Sequence, residues 1–315
     1  MMTERQMGMM ALLTALVSWT MSSPFVKYLV QNGYDPHTQN FYRYAAGTLL
    51  VMPFLWMRLR QRKQNLSWSL VRRCTGPAIP NIVHQVSWVS AMWWIYPAFA
   101  AFLTKSSVLF AAAMVFWLFP EERWLFRSAR FVSGLILCLA GTAGLALWRP
   151  DLGSAEVNVG VALVLVAAAA WAVYSVSVKR LSREVGSTVS FGIVGVHTTA
   201  GLFLIALVWG DLGHWREASW QANAVLIGSG MLCIGLAQTM YYVALRTLGV
   251  AVCATMLLTT PLGTMVVSRF WFGEELTTGQ LGSGLMLLAG GALTLLAKER
   301  TSDLRIVKAT ETASG

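Results

Sequence analysis

Apolar residues run through this chain in blocks of about twenty, separated by short polar or Gly- and Pro-containing connectors, and block length is the first informative feature. A bilayer core of roughly 30 Å takes about 20 helical residues to cross. Cutting the sequence at its polar punctuation gives ten candidate helical spans, at approximately 7–30, 38–57, 74–95, 98–119, 128–148, 157–178, 188–209, 223–243, 248–272 and 278–297. The expected fold class is an all-α integral membrane protein of ten transmembrane helices. The first block, Met7 to Val30, is too long for a signal-peptide core and shows no convincing cleavage site, so it reads as a retained span. Its later part is interrupted by the polar stretch Ser22-Ser23-Pro24.

The basic residues test this division independently, because cytoplasmic connectors accumulate lysine and arginine. Alternate connectors and both ends carry them: Arg5; Arg58 to Arg73; Arg123 to Arg130; Lys179, Arg180 and Arg183; Arg246; and Lys298 to Lys308. That places 18 of the 24 on one side, against Arg149 and Arg216 on the other, with Lys27, Arg43, Lys105 and Arg269 inside spans. The expected localisation is a cell inner (plasma) membrane, crossed many times, with the N- and C-termini cytoplasmic.

Composition agrees with the pattern. Of 315 residues, 56% are hydrophobic and 12% charged, half the roughly 25% of a soluble domain, and the mean hydropathy is +0.57. The net charge of +10 is explained by the connectors, so no nucleic-acid partner is expected. Cys74, Cys138, Cys233 and Cys253 have no paired spacing, and no disulfide framework, metal site or cofactor is suggested.

The sequence also repeats itself. Trp19 and Lys27 recur as Trp171 and Lys179, 152 positions on, with Ser23 matching Ser175. Gln85-x-x-Trp88-x-x-Ala91 resembles Gln238-x-x-Tyr241-x-x-Ala244, and Glu121-Glu122 matches Glu274-Glu275, both at 153. Ser133-Gly134-Leu135 matches Ser283-Gly284-Leu285 at 150. Five spans per repeat is an odd number, so the second repeat must run with opposite topology. The expected organisation is a first repeat over 1–150 (spans one to five), an inverted second over 151–300 (spans six to ten), and a cytoplasmic tail over 301–315. Inverted repeats characterise many secondary transporters, whose site lies near midplane between the halves.

Several residues carry a family likeness. They are Ser18-Trp19-x-x-Ser22-Ser23-Pro24-Phe25-Val26-Lys27, Arg43 in span two, and Thr260-Pro261-Leu262 followed by Phe272-Gly273-Glu274-Glu275-Leu276 around span nine. With their duplication, over roughly 8–298, they resemble the drug/metabolite transporter superfamily, in its ten-span branch with duplicated EamA-type domains. The resemblance implies an export-type carrier of small metabolites, amino acids or toxic compounds, with a pocket lined by spans one, three, four, six, eight and nine. One departure stands out: span nine keeps Pro261, but span four reads Thr104-Lys105-Ser106-Ser107-Val108, with Val108 where the offset puts a proline.

Candidate substrate-binding residues follow from polarity at depth. Lys105 lies about seven residues, roughly 10 Å, inside span four, where a lysine either faces a cavity or snorkels to the surface. Asn81, His84 and Gln85 fall near the middle of span three and either line a cleft or bond between helices; Gln85 is matched by Gln238. His197 has no repeat partner. Trp19, Trp88, Trp171, Tyr174 and Tyr241 either wall a pocket or simply pack. Ser23, Thr260 and Pro261 complete the set. Pro24 and Pro261 free backbone carbonyls, which in transporters coordinate substrate or mark hinges. Lys27, Arg43 and Arg269 lie within several residues of the outer face, where snorkelling or gate contacts account for them, and Lys179 is the inverted counterpart of Lys27. The two glutamate pairs read as structural or gating residues at the membrane surfaces.

No acidic residue falls in the middle of a span. A proton-coupled pump for cationic drugs needs a buried carboxylate, so neutral or carboxylate-bearing cargo is expected, with any proton coupling through a histidine. No constellation of an intramembrane enzyme is found. The expected function is a secondary transporter, an exporter of small metabolites such as amino acids or related compounds, working by alternating access. An uncoupled facilitator is the alternative; a drug exporter or a non-transporting enzyme or scaffold ranks below it. The expected partners are a small-molecule substrate and the lipid bilayer, with the chain a monomer or homodimer.

Overall fold

The computed structural model describes residues 3–62, 68–118, 123, 126–148, 155–185, 187–248, 253 and 256–314, and among them every regular element is a helix. In chain order they are α1 (Glu4–Thr20), α2 (Ser22–Gln31), α3 (Pro36–Arg62), α4 (Trp68–Ala91), α5 (Pro97–Thr104), α6 (Ser107–Leu118), α7 (Ala129–Leu147), α8 (Ala155–Val185), α9 (Ser187–Trp209), α10 (Trp220–Ser229), α11 (Ala237–Leu248), α12 (Thr260–Phe272) and α13 (Thr278–Ser314). A 3₁₀ turn at His214–Arg216 precedes α10, and a π-helical stretch, Gly230–Leu236, joins α10 to α11. Among the described residues, five stretches are long and apolar enough to cross a membrane: Glu4–Gln31, Pro97–Met114, Asn158–Val178, Thr188–Trp209 and Trp220–Tyr241. The outward faces suit lipid. Leu139, Leu204, Val208 and Leu296 are exposed, and tryptophans such as Trp56, Trp93, Trp148, Trp209 and Trp271 stand exposed at or near helix ends.

Local chemistry sets the helix ends. Asp35 is the cap of α3, just before Pro36. Its Oδ1 accepts the backbone N–H groups of His37 (2.8 Å) and Thr38 (2.9 Å), and its Oδ2 accepts that of Asp211 in the connector after α9 (3.0 Å). Burial alone would raise this carboxyl, but the hydrogen bonds from Thr38, Asp211 and His37 outweigh it and hold the group below the usual carboxylate range. Gly273 ends α12 with φ +65°, a conformation that an L side chain rarely adopts.

Helix pairing follows the repeat. α3 packs on α9, and α7 on α13, each pair joining equivalent spans of the two halves. α4 packs on α8 just as α11 packs on α1, and α6 meets α8 as α12 meets α1. The contacts are reciprocal between the halves, as two copies related by a pseudo-two-fold axis would make them. Small residues permit the central contacts. A Cβ on Gly134 would lie 2.8 Å from the Gly290 carbonyl, and one on Gly47 would lie 2.7 Å from that of Gly230.

Four of the rods are interrupted. α1 gives way to α2 at Met21, α5 to α6 at the turn Lys105–Ser106, and α10 to α11 through the π stretch; α12 follows a turn at Leu258–Thr259. Pro24 has no N–H, so the carbonyl of Thr20 loses its helical donor. The Thr264 hydroxyl of α12 supplies one instead, at 3.0 Å. Pro261 likewise releases the Leu257 carbonyl, which accepts the hydroxyl of Thr260 at 2.6 Å. A threonine hydroxyl thus takes up one acceptor site on each freed carbonyl and bridges the break.

Candidate functional site

All four interruptions border one cavity of about 220 Å³. Ser22 and Ser23 reach it from the start of α2, Thr104, Lys105 and Ser107 from the α5–α6 break, Cys233 and Ile234 from the π stretch, and Thr260 and Pro261 from the start of α12. A straight helix presents only side chains to a neighbour, whereas an interrupted one also turns helix ends inward. In the hydrocarbon region such irregular backbone is tolerated only against protein or a cavity.

Of the thirteen sequence candidates, twelve line this cavity: Trp19 and Ser23; Asn81, His84, Gln85 and Trp88 on α4; Lys105; Trp171 and Tyr174 on α8; Gln238 on α11; and Thr260 and Pro261. Tyr241 does not line it. Its ring packs behind Trp19 at a centroid distance of 5.1 Å and steadies that wall. Trp19 is further fixed by donating its indole N–H to the Cys233 carbonyl at 3.0 Å, while the Cys233 thiol donates to the Ser18 carbonyl at 3.0 Å.

The opposite wall is α4 against α8. His84 donates from Nδ1 to the Ala167 carbonyl at 2.9 Å, since a carbonyl only accepts; in the neutral ring this leaves Nε2 as an acceptor. Trp88 stacks near it and Trp171 lies 5.1 Å from it, with Tyr174 a further 5.4 Å from Trp171. Asn81 donates to the hydroxyls of Thr198 (3.1 Å) and Tyr44 (3.3 Å), tying α4 to α9 and α3. Asn81 thus performs interhelical bonding while lining the cavity, so the two readings of polar residues at depth hold together at this position. His197 bonds its own helix, at the Ile193 carbonyl, and is not among the lining residues.

Two cations face the cavity. Lys105 ends α5, is partly buried, and its ammonium has no hydrogen-bond or ion-pair partner among the described residues. Arg43 is the other, and of its two expected roles, snorkelling or a gate contact, the first fails. It does not snorkel outward: it is 1% exposed and reaches inward to Ser229 Oγ through Nε (3.0 Å) and to Ser22 Oγ through Nη2 (3.2 Å). The break at Met21 turns the start of α2 toward α3, which creates this partner set. Depth counted along span two carried no sign of it. Among the described residues, no aspartate or glutamate lines the cavity. Nor, among the described residues, does any group of three or more His, Cys, Asp or Glu stand ready for a metal.

At one end of the molecule, Lys27 and Glu274 pin the hairpin between α4 and α5. Lys27 donates to the carbonyls of Met92 (2.7 Å) and Ile95 (3.3 Å), just beyond the C-terminus of α4, with the Tyr96 ring 4.8 Å away. Glu274, just after α12, accepts the N–H groups of Ala98 and Phe99 at the start of α5, both at 2.9 Å, and the Ser268 hydroxyl. It is a helix cap supplied by the other half of the protein. Arg269 instead makes an exposed pair with Glu275 at 2.8 Å. Glu121 and Glu122 lie outside the described residues, as does the side chain of Lys179.

Comparison with known proteins places this arrangement. The comparison with curated proteins returned no match. A solved crystal structure whose description names no activity is similar over 94% of this chain and 99% of its own, at 18% identity and a TM-score of 0.63, which establishes a shared fold. The family model for the EamA-like transporter family matches twice, over residues 6–147 and 158–296. Two matches in tandem are what the duplicated, pseudo-symmetric helix pairing requires. The chain belongs to the EamA-like transporter family.

Proposed function

We propose that this protein is a secondary transporter that exports small metabolites, amino acids or related carboxylate-bearing or neutral compounds, by alternating access across a cell inner membrane. The observation that carries this reading is the convergence of three helices broken at turns and one π-helical stretch, from both halves, on one cavity. Binding sites of inverted-repeat transporters lie at the repeat interface and are built from discontinuous helices. The proposal includes ten spans, repeats over 1–150 and 151–300, a tail over 301–315 and cytoplasmic termini, as the asymmetry of basic connectors supports. The twelve lining candidates would contact substrate, and Tyr241 would act behind them.

The pinned α4–α5 hairpin supplies a mechanical rationale. Rocking one repeat against the other must displace α5 relative to Glu274, because the glutamate belongs to the second half and the helix to the first. Counterflow in proteoliposomes tests the proposal: preloaded substrate should accelerate entry of labelled substrate, and empty liposomes should not show it. The same assay with and without an imposed pH gradient separates a proton-coupled carrier from a facilitator. Absence of counterflow for every small metabolite that binds would overturn the transport reading.

A further inference from the structure

We infer that the cargo is a small organic carboxylate with a flat apolar body and no ammonium group, held by Lys105 at its charged end. This rests on the transport reading for its setting and narrows its cargo, setting amino acids and neutral compounds aside in favour of carboxylates without an ammonium group.

The argument is electrostatic. Arg43 and Lys105 both line the cavity, and among the described residues no acidic side chain does. Arg43, nearly fully buried, spends its described hydrogen bonds on two serine hydroxyls, and Lys105 has no such partner among the described residues. Buried cations are ordinarily paired, because an uncompensated charge away from water is costly. An anionic group on the ligand would supply that pairing at Lys105. A zwitterion satisfies this poorly, since its ammonium would enter a space with two fixed positive charges and no carboxylate to receive it. Trp19, Trp88 and Trp171 with Tyr174 line the same cavity and offer faces that suit a flat apolar group. Lys105 is the better anchor of the two. Arg43 is held in place by α2 and α10 as part of the scaffold, whereas the ammonium of Lys105 is free to turn on its stem.

Four single-ring probes of nearly equal size test this with the full-length protein in detergent: 3-phenylpropionate (anion), phenylalanine (zwitterion), 3-phenylpropionamide (neutral) and phenethylamine (cation). Binding is read by tryptophan fluorescence and by shift in melting temperature. 3-Phenylpropionate should bind at least about tenfold tighter than each of the others, as expected for one desolvated charge pair. Lys105→Gln should erase the preference, and Lys105→Arg should keep most of it, which separates a charge effect from a folding defect. Equal or tighter binding of phenylalanine, an unchanged preference in Lys105→Gln, or no binding by any of the four would overturn the inference. Counterflow distinguishes its failure from that of the transport reading. Carriage of the probes without order by charge removes the carboxylate class and leaves transport standing. Anion-selective binding without counterflow does the reverse.

Discussion

In the first half of the protein, Lys105 and Ser106 form the turn between two helix segments, and α6 begins Ser107-Val108; in the second half, Leu258 and Thr259 form the turn, and α12 begins Thr260-Pro261. The two breaks fall 153 positions apart, residue for residue. Ser106 donates its N–H to the Leu103 carbonyl and Thr259 to that of Met256, each at 3.0 Å. Leu109 bonds Ser106 at 2.9 Å just as Leu262 bonds Thr259 at 3.0 Å. At the next position the chemistry diverges. Val108 donates to Lys105 at 3.1 Å, where Pro261 has nothing to donate. The hydroxyl of Thr259 satisfies the Met256 carbonyl at 2.7 Å, while that of Ser106 is buried without a partner among the described residues. The break is thus a property of the repeated backbone, and proline accompanies it in one copy without being required for it. What differs functionally is the charge: a lysine on one side and a leucine on the other.

That comparison can be broken most severely through Glu274, which caps the helix leading into the first break from the opposite half. Glu274→Ala should lower stability by about 2–3 kcal/mol, because two buried N–H groups and the Ser268 hydroxyl lose a charged acceptor. Ser268→Ala, which leaves the cap in place, should cost less than half as much; equal losses in thermal or denaturant unfolding would refute the capping role. Lys105→Leu copies the second break's residue into the first. It should depress carboxylate binding and counterflow by at least about tenfold with the melting temperature little changed, and a matching loss of stability would reassign Lys105 to the scaffold.

Asp35 gives a smaller and pH-dependent effect. Its carboxyl titrates lower in the folded protein than in the unfolded chain, so its contribution is complete above about pH 4 and fades as pH falls through the folded value. Asp35→Ala should cost about 1 kcal/mol near neutral pH. Asp35→Asn should keep much of the cap but flatten the acid limb of a stability–pH curve; an unchanged limb would discount the titration. The smallest effects belong to the proline itself. Pro261→Ala and Val108→Pro should each change stability by less than about 1 kcal/mol, since the first break does without the ring and the second without the N–H. Counterflow should stay within a few-fold of the parent. A collapse of transport in Pro261→Ala would show that the two breaks are not mechanically equivalent.

Much of this was legible from the residues alone, for reasons that can be named. A run of about twenty apolar positions leaves the chain few options besides a helix, and a polar residue such as Asn81 or Gln85 in the middle of one needs either a neighbour or a cavity. Tandem motifs at a near-constant offset disclosed the halves before any contact was known. The inward reach of Arg43 is not legible in the sequence, because depth along a helix says nothing of where an adjoining helix kinks, and its partners Ser22 and Ser229 come from two such irregularities. The roles of Glu274 and Thr264 were invisible for a similar reason. Each completes a backbone group in a segment more than 150 residues away, and no local pattern encodes a bond between halves.

The unbalanced positive charge of the cavity also bears on energy supply. Where the cytoplasm is electrically negative, a cargo of charge −1 moving outward gains about 2.3 kcal/mol per 100 mV. Near 100 mV that sustains a concentration ratio of roughly fiftyfold with no co-transported ion. If the cargo is the carboxylate inferred above, a carrier that accepts it on Lys105 can let the membrane voltage drive efflux, and a cavity with no carboxylate among its described lining residues then suits that work.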